Sequence, residues 1–422
     1  MIELGIWTYT FLWGQINFFT IFFLLILIDL PDYSQAIEKL KSNEGFLYAG
    51  HPKFMSLFGR DSLISSLSLI DKFPDIAIAS LKALSKFQGK TFDNEIAECP
   101  GKIPHEINLD QALIEKRSKN VPWLKYGPNY FSVDSTPLYI ITLLTYLKST
   151  GRSLDKQMLN SLKMSIEFLL SSVQGREFLG YDKTPVAKGL ASQCWRDGIG
   201  DILERMKSPV FVSGVQAFLA ESFELILGSD DEIQEFLGPD ILNEVRGGLS
   251  SLRELFYDRF WIDNKGYPAL AIDGDGVACR VITTDPLYCL GLGMMSREVE
   301  KNLVKRAMER DLLTEYGMRC LSSEEMEFDA IAYQRGSIWP HDNFLVIRSL
   351  IRANFRREAE AVAAGVMKAL TSIDSFPEYY SVDSNGSLIP QEKLRIRPCD
   401  PQAWSVGTFL FIKEKFPGLK VS

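Results

Sequence analysis

Residues 137–144 read Pro-Leu-Tyr-Ile-Ile-Thr-Leu-Leu, and residues 215–227 read Val-Gln-Ala-Phe-Leu-Ala-Glu-Ser-Phe-Glu-Leu-Ile-Leu. Both have helical length and are apolar around most of their circumference, a pattern that a helix with one face in water does not carry. They belong to an inner layer. Each is followed by a helix of the opposite kind. Met158, Leu159, Leu162, Ile166 and Leu169 keep the i, i+3, i+4, i+7 spacing of a single buried stripe, and residues 241–256 follow 215–227 in the same way. The same pairing is read at 61–72 with 74–87, at 287–294 with 299–308, and at 344–351 with 359–370, and a last helix covers 403–415. Hairpins that repeat one buried and one amphipathic member suit a closed arrangement of an inner ring of helices wrapped by an outer one. Strands are few. Val277 to Thr284 is the best candidate, as a small hairpin in a loop.

The chain has 422 residues, with 46 Lys and Arg against 54 Asp and Glu for a net charge of −8. No run of basic residues is present to neutralise phosphates, so a nucleic-acid partner is not expected. Six cysteines without CxxC spacing support neither a disulfide scaffold nor a structural zinc site. His51, His105 and His341 lack any ligand spacing, and no metal is expected. The chain is read as two parts: an apolar N-terminal segment, residues 1–32, and one helical domain, residues 33–422. From Met1 to Ile28 the only charge is Glu3, and residues 6–28 make either a membrane anchor or a segment that packs on the rest or is vestigial. A basic n-region and a small-residue cleavage point are missing, so a cytoplasmic location is expected, with membrane anchoring as the alternative.

The chemically unusual residues gather in irregular stretches at helix ends: FGRDSLISSLSL (58–69), GKIPHEI (101–107), YFSVDSTPLYI (130–140), QCWRDG (193–198), GSIWPHDN (336–343), FPEYY (376–380) and PQAWS (401–405). Trp123 precedes the third of these. Taken alone, Asp61 or Asp134 reads as a helix cap. Taken together, loops at one end of a closed ring converge on one opening. Trp faces beside Asp, Glu, Arg, His and Gln match the two needs of a sugar, stacking of C–H faces and paired polar contacts to hydroxyls. HExxH, GxxxxGK[ST] and GxSxG are all missing, so metalloprotease, nucleotide and serine-hydrolase chemistry lack a foothold.

Breaking a glycosidic bond takes two carboxyl groups. Asp197 sits beside Trp195, whose ring would desolvate it and raise its pKa as a general acid requires, although Arg196 would oppose that shift if it pointed inward. Glu378, in a Pro-restricted aromatic stretch, is the candidate base. The acidic stretch Tyr316 to Asp329 (Glu324, Glu325, Glu327) either reshapes the entrance or is a solvated loop.

The seven motifs, in this order, resemble the amylo-α-1,6-glucosidase family, the glucosidase portion of glycogen debranching enzymes, which is similar to glucoamylases and mannosylglycerate-type hydrolases. The resemblance spans about residues 45 to 415. It implies an all-α (α/α)6 toroid with minor β-hairpins in its loops. It also implies an inverting mechanism with Asp197 as general acid and Glu378 as general base, and release of an α-1,6-linked glucose without a cofactor. Substrate contacts then fall on Arg60, Asp61, His105, Asp134, Trp195, Trp339, His341, Gln402 and Trp404. Two other classes remain open: a sugar isomerase or epimerase that moves protons through His105 and His341, and a non-catalytic carbohydrate-binding protein.

Overall fold

The structure, a computed structural model, describes residues 31–419 apart from 109, 120, 122, 123, 125, 126, 186 and 187. The described residues form twelve α-helices: α1 Tyr33–Leu40, α2 Gly59–Leu69, α3 Pro74–Lys86, α4 Gln111–Ser118, α5 Ser135–Thr150, α6 Lys156–Val173, α7 Ser213–Leu227, α8 Asp231–Phe260, α9 Arg297–Ala307, α10 Pro340–Arg352, α11 Arg356–Ile373 and α12 Ala403–Lys415. Helices α2, α5 and α7 pack in succession, α7 packs on a 3-10 segment Asp285–Cys289, that segment on α10, α10 on α12, and α12 back on α2. This closes an inner ring of six members. Helices α3, α6, α8, α9 and α11 each follow an inner member, and α1 takes the sixth outer place against α12. The chain is an (α/α)6 toroid.

The inner ring follows from the all-round apolar sequences. In α5, Leu138, Tyr139, Ile140, Ile141, Leu143 and Leu144 are all buried, each burial worth about 1.5–3 kcal/mol. The outer helices bury one stripe, such as Met158, Leu162, Ile166 and Leu169 in α6, and Asp155 caps that helix by accepting the Met158 N–H at 2.9 Å. Ring closure needs α2 and α12 to approach closely: a Cβ on Gly407 would lie 2.0 Å from the Ser68 Oγ. A glycine there lets the first and last inner helices touch.

Two elements differ from the sequence reading. The 287–294 run is not an α-helix; Pro286 stands inside the 3-10 segment, and Gly291 and Gly293, at φ +76° and +70°, turn the chain away. Helix α8 is two helices joined at Gly238 (φ +80°), with Pro239 starting the second. Ala278–Cys279 is a two-residue strand paired with Ala271–Ile272, the hairpin expected from Val277 to Thr284 in a shorter form. Near the opening of the ring, three short antiparallel strands form a sheet: β1 Leu57–Phe58, β2 Glu106–Ile107 and β3 Pro128–Asn129. No helix of the described residues is long and apolar enough to cross a membrane, and the anchor candidate, residues 6–28, lies outside the described residues.

Candidate active site

The N-terminal ends of α2, α10 and α12, together with the loops that lead into α5 and α7, face one cavity of about 330 Å³. Each outer-to-inner connection lands at this end of the ring, so motifs far apart in sequence meet here. Helix N-termini carry partial positive charge, which favours carboxylates at this end of the ring.

Asp61, Asp197 and Glu378 all line the cavity. Helix α2 can start as it does because Gly59 has no Cβ; one would lie 2.1 Å from the Pro104 carbonyl oxygen. The first turn then carries Arg60 and Asp61. The Arg60 guanidinium is shared between two carboxylates, with Nη2 2.6 Å from Asp197 and Nη1 3.1 Å from Asp134. Asp134 stands at the N-cap position of α5 but makes no cap bond, and its Oδ1 accepts the Ser132 hydroxyl at 2.7 Å. The capping explanation for Asp134 therefore fails. Asp134 and Gln402 stand behind the cavity wall: Asp134 holds Arg60, and the Gln402 Nε2 reaches the Asp61 Oδ1 at 3.4 Å.

Glu378 is buried and held at both oxygens. The Tyr333 hydroxyl donates to Oε1, and the Cys399 N–H donates to Oε2 at 2.9 Å. Burial pushes its carboxyl up to about 7; the two hydrogen bonds oppose that and the Asp197 charge adds to it. Asp61 is also pushed up to about 7, first by burial, with Arg60 opposing and Asp197 and Glu378 adding. Asp197, 21% exposed at its side chain, is raised by burial against the pull of Arg60. Asp61, Asp197 and Glu378 share the hollow with Arg60 and with the Arg117–Glu106 pair, and each of the three favours its protonated form more than in water.

The floor is aromatic. Trp195, Trp339, His341 and Trp404 all line the cavity, with ring centroids 4.2 Å apart for His341 and Trp404 and 5.8 Å for Trp195 and Trp339. His105 lines it too, edge-on to Phe58 at 5.6 Å. Burial, with nearby guanidinium charge, holds both histidines well below the ordinary value, so both are neutral at pH 7. Among the described residues, neither ring nitrogen of His341 has a hydrogen-bond partner, and neither does the Nδ1 of His105. Buried polar atoms left open beside a cavity suit a ligand hydroxyl.

Arg196 points away from Asp197. Its guanidinium is fully buried, with Nε 2.9 Å from Asp285 and Nη1 3.1 Å from the Gln334 carbonyl. The same Asp285 accepts the Trp195 Nε1–H at 2.8 Å, so the carboxylate that opens the 3-10 segment fixes two residues of the QCWRDG loop. Sequence reasoning singled out the stretch that holds Glu106 but missed its partner Arg117, and it missed Tyr333 and Gln334, all on the cavity wall. The one sequence signal for Tyr333 was its place just ahead of the GSIWPHDN motif. Glu324, Glu325 and Glu327 are absent from the lining; Glu325 pairs with Lys265 at 2.6 Å and Glu327 with Arg205 at 3.5 Å. Trp123 lies outside the described residues.

A closed double ring of helices with acids and tryptophans at the N-terminal ends of its inner members is a six-hairpin (α/α)6 toroid. Residues 232–389 match the model of the mannosylglycerate hydrolase MGH1-like glycoside hydrolase domain, a stretch that holds Tyr333, Trp339, His341 and Glu378. The mannosylglycerate hydrolase of Thermus thermophilus in complex with Tris is 16% identical, with 90% of this chain and 99% of that one covered at a TM-score of 0.63. A glutamate-to-alanine glycosidase variant in complex with glucose is 11% identical, with 92% and 96% covered at a TM-score of 0.63. At these identities the likeness is one of fold. No curated protein matches the chain.

Proposed function

We propose that this protein is an inverting glycoside hydrolase that releases a terminal α-linked hexose. The observation that carries the reading is that Asp197 and Glu378 line one cavity whose floor is aromatic. Asp197, whose burial favours the protonated form against the pull of Arg60, is the acid that gives its proton to the glycosidic oxygen as the C1–O bond breaks, and positive charge spreads over C1 and the ring oxygen. Glu378, in its ionised form and fixed by Tyr333 and Cys399, takes a proton from a water whose oxygen attacks C1 from the opposite face. The product sugar carries the inverted anomeric configuration. Trp195, Trp339 and Trp404 stack on the ring; Arg60, Asp61, His105 and His341 take hydroxyls, with Asp134 and Gln402 holding Arg60 and Asp61 in place.

The debranching resemblance favours α-1,6-linked glucose. The cavity volume, at the small end of the roughly 300–1,000 Å³ typical of ligand pockets, and the match to the MGH1-like domain favour one ring with a small leaving group. Proton transfer through His105 and His341, as an epimerase requires, is disfavoured because neither titrates near neutrality. Proton NMR of the enzyme with a panel of α-linked glucose disaccharides, mannosylglycerate and a branched glucan is expected to show β-hexose as the first product. Release of α-hexose overturns inversion; no product from any member overturns hydrolysis.

The Tyr333 bond stabilises ionised Glu378, so its loss raises the pKa of the base. Tyr333→Phe is expected to move the acidic limb of the kcat/KM profile up by about one pH unit, the value of a hydrogen bond to a charged group. An unmoved limb means that Glu378 is not the group titrating there.

A further inference from the structure

The cavity changes character between floor and mouth. Asp61, Glu378, Trp339 and His341 are buried, whereas Ile199 and Ile396, which line the same cavity, are 89% and 42% exposed. Ile199 follows Asp197 by two residues. An acid that protonates the leaving oxygen stands on the leaving-group side, so the residues beside it face what the enzyme releases. Val121, Leu124 and Leu190, in a small apolar cluster separate from the main core, also line the cavity. A second hollow of about 80 Å³ shares Gly198, Ile199, Tyr333, Gln334 and Ile396 with the cavity, and Asp201, Arg335 and Arg395 line it as well. The two arginines of that hollow, Arg335 and Arg395, both pair with Asp329, at 3.5 and 2.5 Å.

Aliphatic side chains offer a hydroxylated leaving group neither a π face nor a hydrogen-bond partner, and burying hydroxyls against them is unfavourable. Hydrocarbon is what they bind well. Resting on the glycosidase reading above, we propose that Ile199 and Ile396 at the mouth form a subsite for an apolar leaving group, so that the substrate class is an α-hexoside of an alcohol bearing an alkyl portion.

The test is kcat/KM for methyl, butyl and octyl α-D-glucopyranosides and their α-D-mannopyranoside counterparts, below micelle-forming concentrations. The acidity of the leaving alcohol barely changes along each series, so chain length reports binding. Each methylene buried in the transition state adds about fourfold, giving an octyl-to-methyl ratio of about thirtyfold or more with the first few buried. In the Ile199→Ser/Ile396→Ser double variant that ratio is expected to fall below about threefold, because the first methylenes then meet hydroxyls. Cleavage of the methyl glycosides with a flat wild-type ratio, or a steep ratio that survives the double variant, overturns this subsite and leaves the hydrolase reading standing. No cleavage of either series by an enzyme that releases hexose from the disaccharide panel overturns the subsite alone, and no cleavage of the alkyl glycosides or of that panel overturns both.

Discussion

Glu378→Gln is expected to lower kcat by about a thousandfold, in the range seen when a general base is removed, and to raise stability at alkaline pH. The two effects share one cause. In the folded protein the Glu378 carboxyl is pushed up to about 7 from an ordinary 4.5. As pH rises between those values the unfolded chain releases its proton while the folded one keeps it, so stability is lost across that window and the loss is complete above pH 7. Glutamine has no proton to lose. The variant should gain on the order of 3 kcal/mol over the wild type at pH 8 and almost nothing at pH 4. Its carbonyl oxygen still accepts the Cys399 N–H, and its amide donates to a rotated Tyr333 hydroxyl, so no buried donor is orphaned. Asp197→Asn is expected to lose activity to a similar extent. Asp61→Asn, by contrast, removes a hydroxyl ligand rather than a proton carrier and should raise KM more than it lowers kcat. Denaturant titrations at the two pH values and initial rates on any cleaved glycoside read all of this. Wild-type turnover in the Glu378 or Asp197 variant would remove the proposed mechanism.

Much of the fold is legible because inner and outer helices differ in how much of their circumference is apolar. Residues 137–144 and 215–227 declare themselves inner, and their partners declare themselves outer. Two features leave no local trace. The sixth hairpin is made from the two ends of the chain, α1 against α12, and no periodicity links segments so far apart. The fourth inner member reads as a helix in its apolar run, while the glycines that break it read as a minor interruption. At the site, residue types point to acids and tryptophans, because sugar chemistry requires them. Geometry alone separates Arg60, which faces the cavity, from Arg196, which does not. Two of the sequence's Arg-Asp dipeptides, Arg60-Asp61 and Arg196-Asp197, fall in the motifs of the site, and the guanidinium that holds Asp197 belongs to the distant one.

Arg196→Met is expected to cost about 3–5 kcal/mol at pH 8, the range found when one partner of a buried ion pair is removed. The guanidinium is fully buried among Asp285 at 2.9 Å, Asp201 at 3.7 Å, and the carbonyls of Gln334 and Cys320. Asp342, held by Thr284 and Tyr288, adds a third acid to the same interior, and Asp201 and Asp342 are each already pushed up to about 7 by burial. Without Arg196 these carboxyls lose the cation they share, and the pKa values of Asp201 and Asp342 rise further. A carboxyl raised in the folded state loses stability as pH rises through the raised value, so the penalty grows with pH and shrinks at pH 5, where the acids carry protons. Urea titrations at pH 5 and pH 8 separate this from lost packing, which would cost the same at both. The loss should extend to activity, because Asp285 also fixes the Trp195 indole next to Asp197. That linkage gives a physical reason for a fourth inner member that is a single 3-10 segment: it begins with the carboxylate to which both Trp195 and Arg196 are tied. The ring gives up helical packing at this place and gains a fixed anchor beneath the proposed acid.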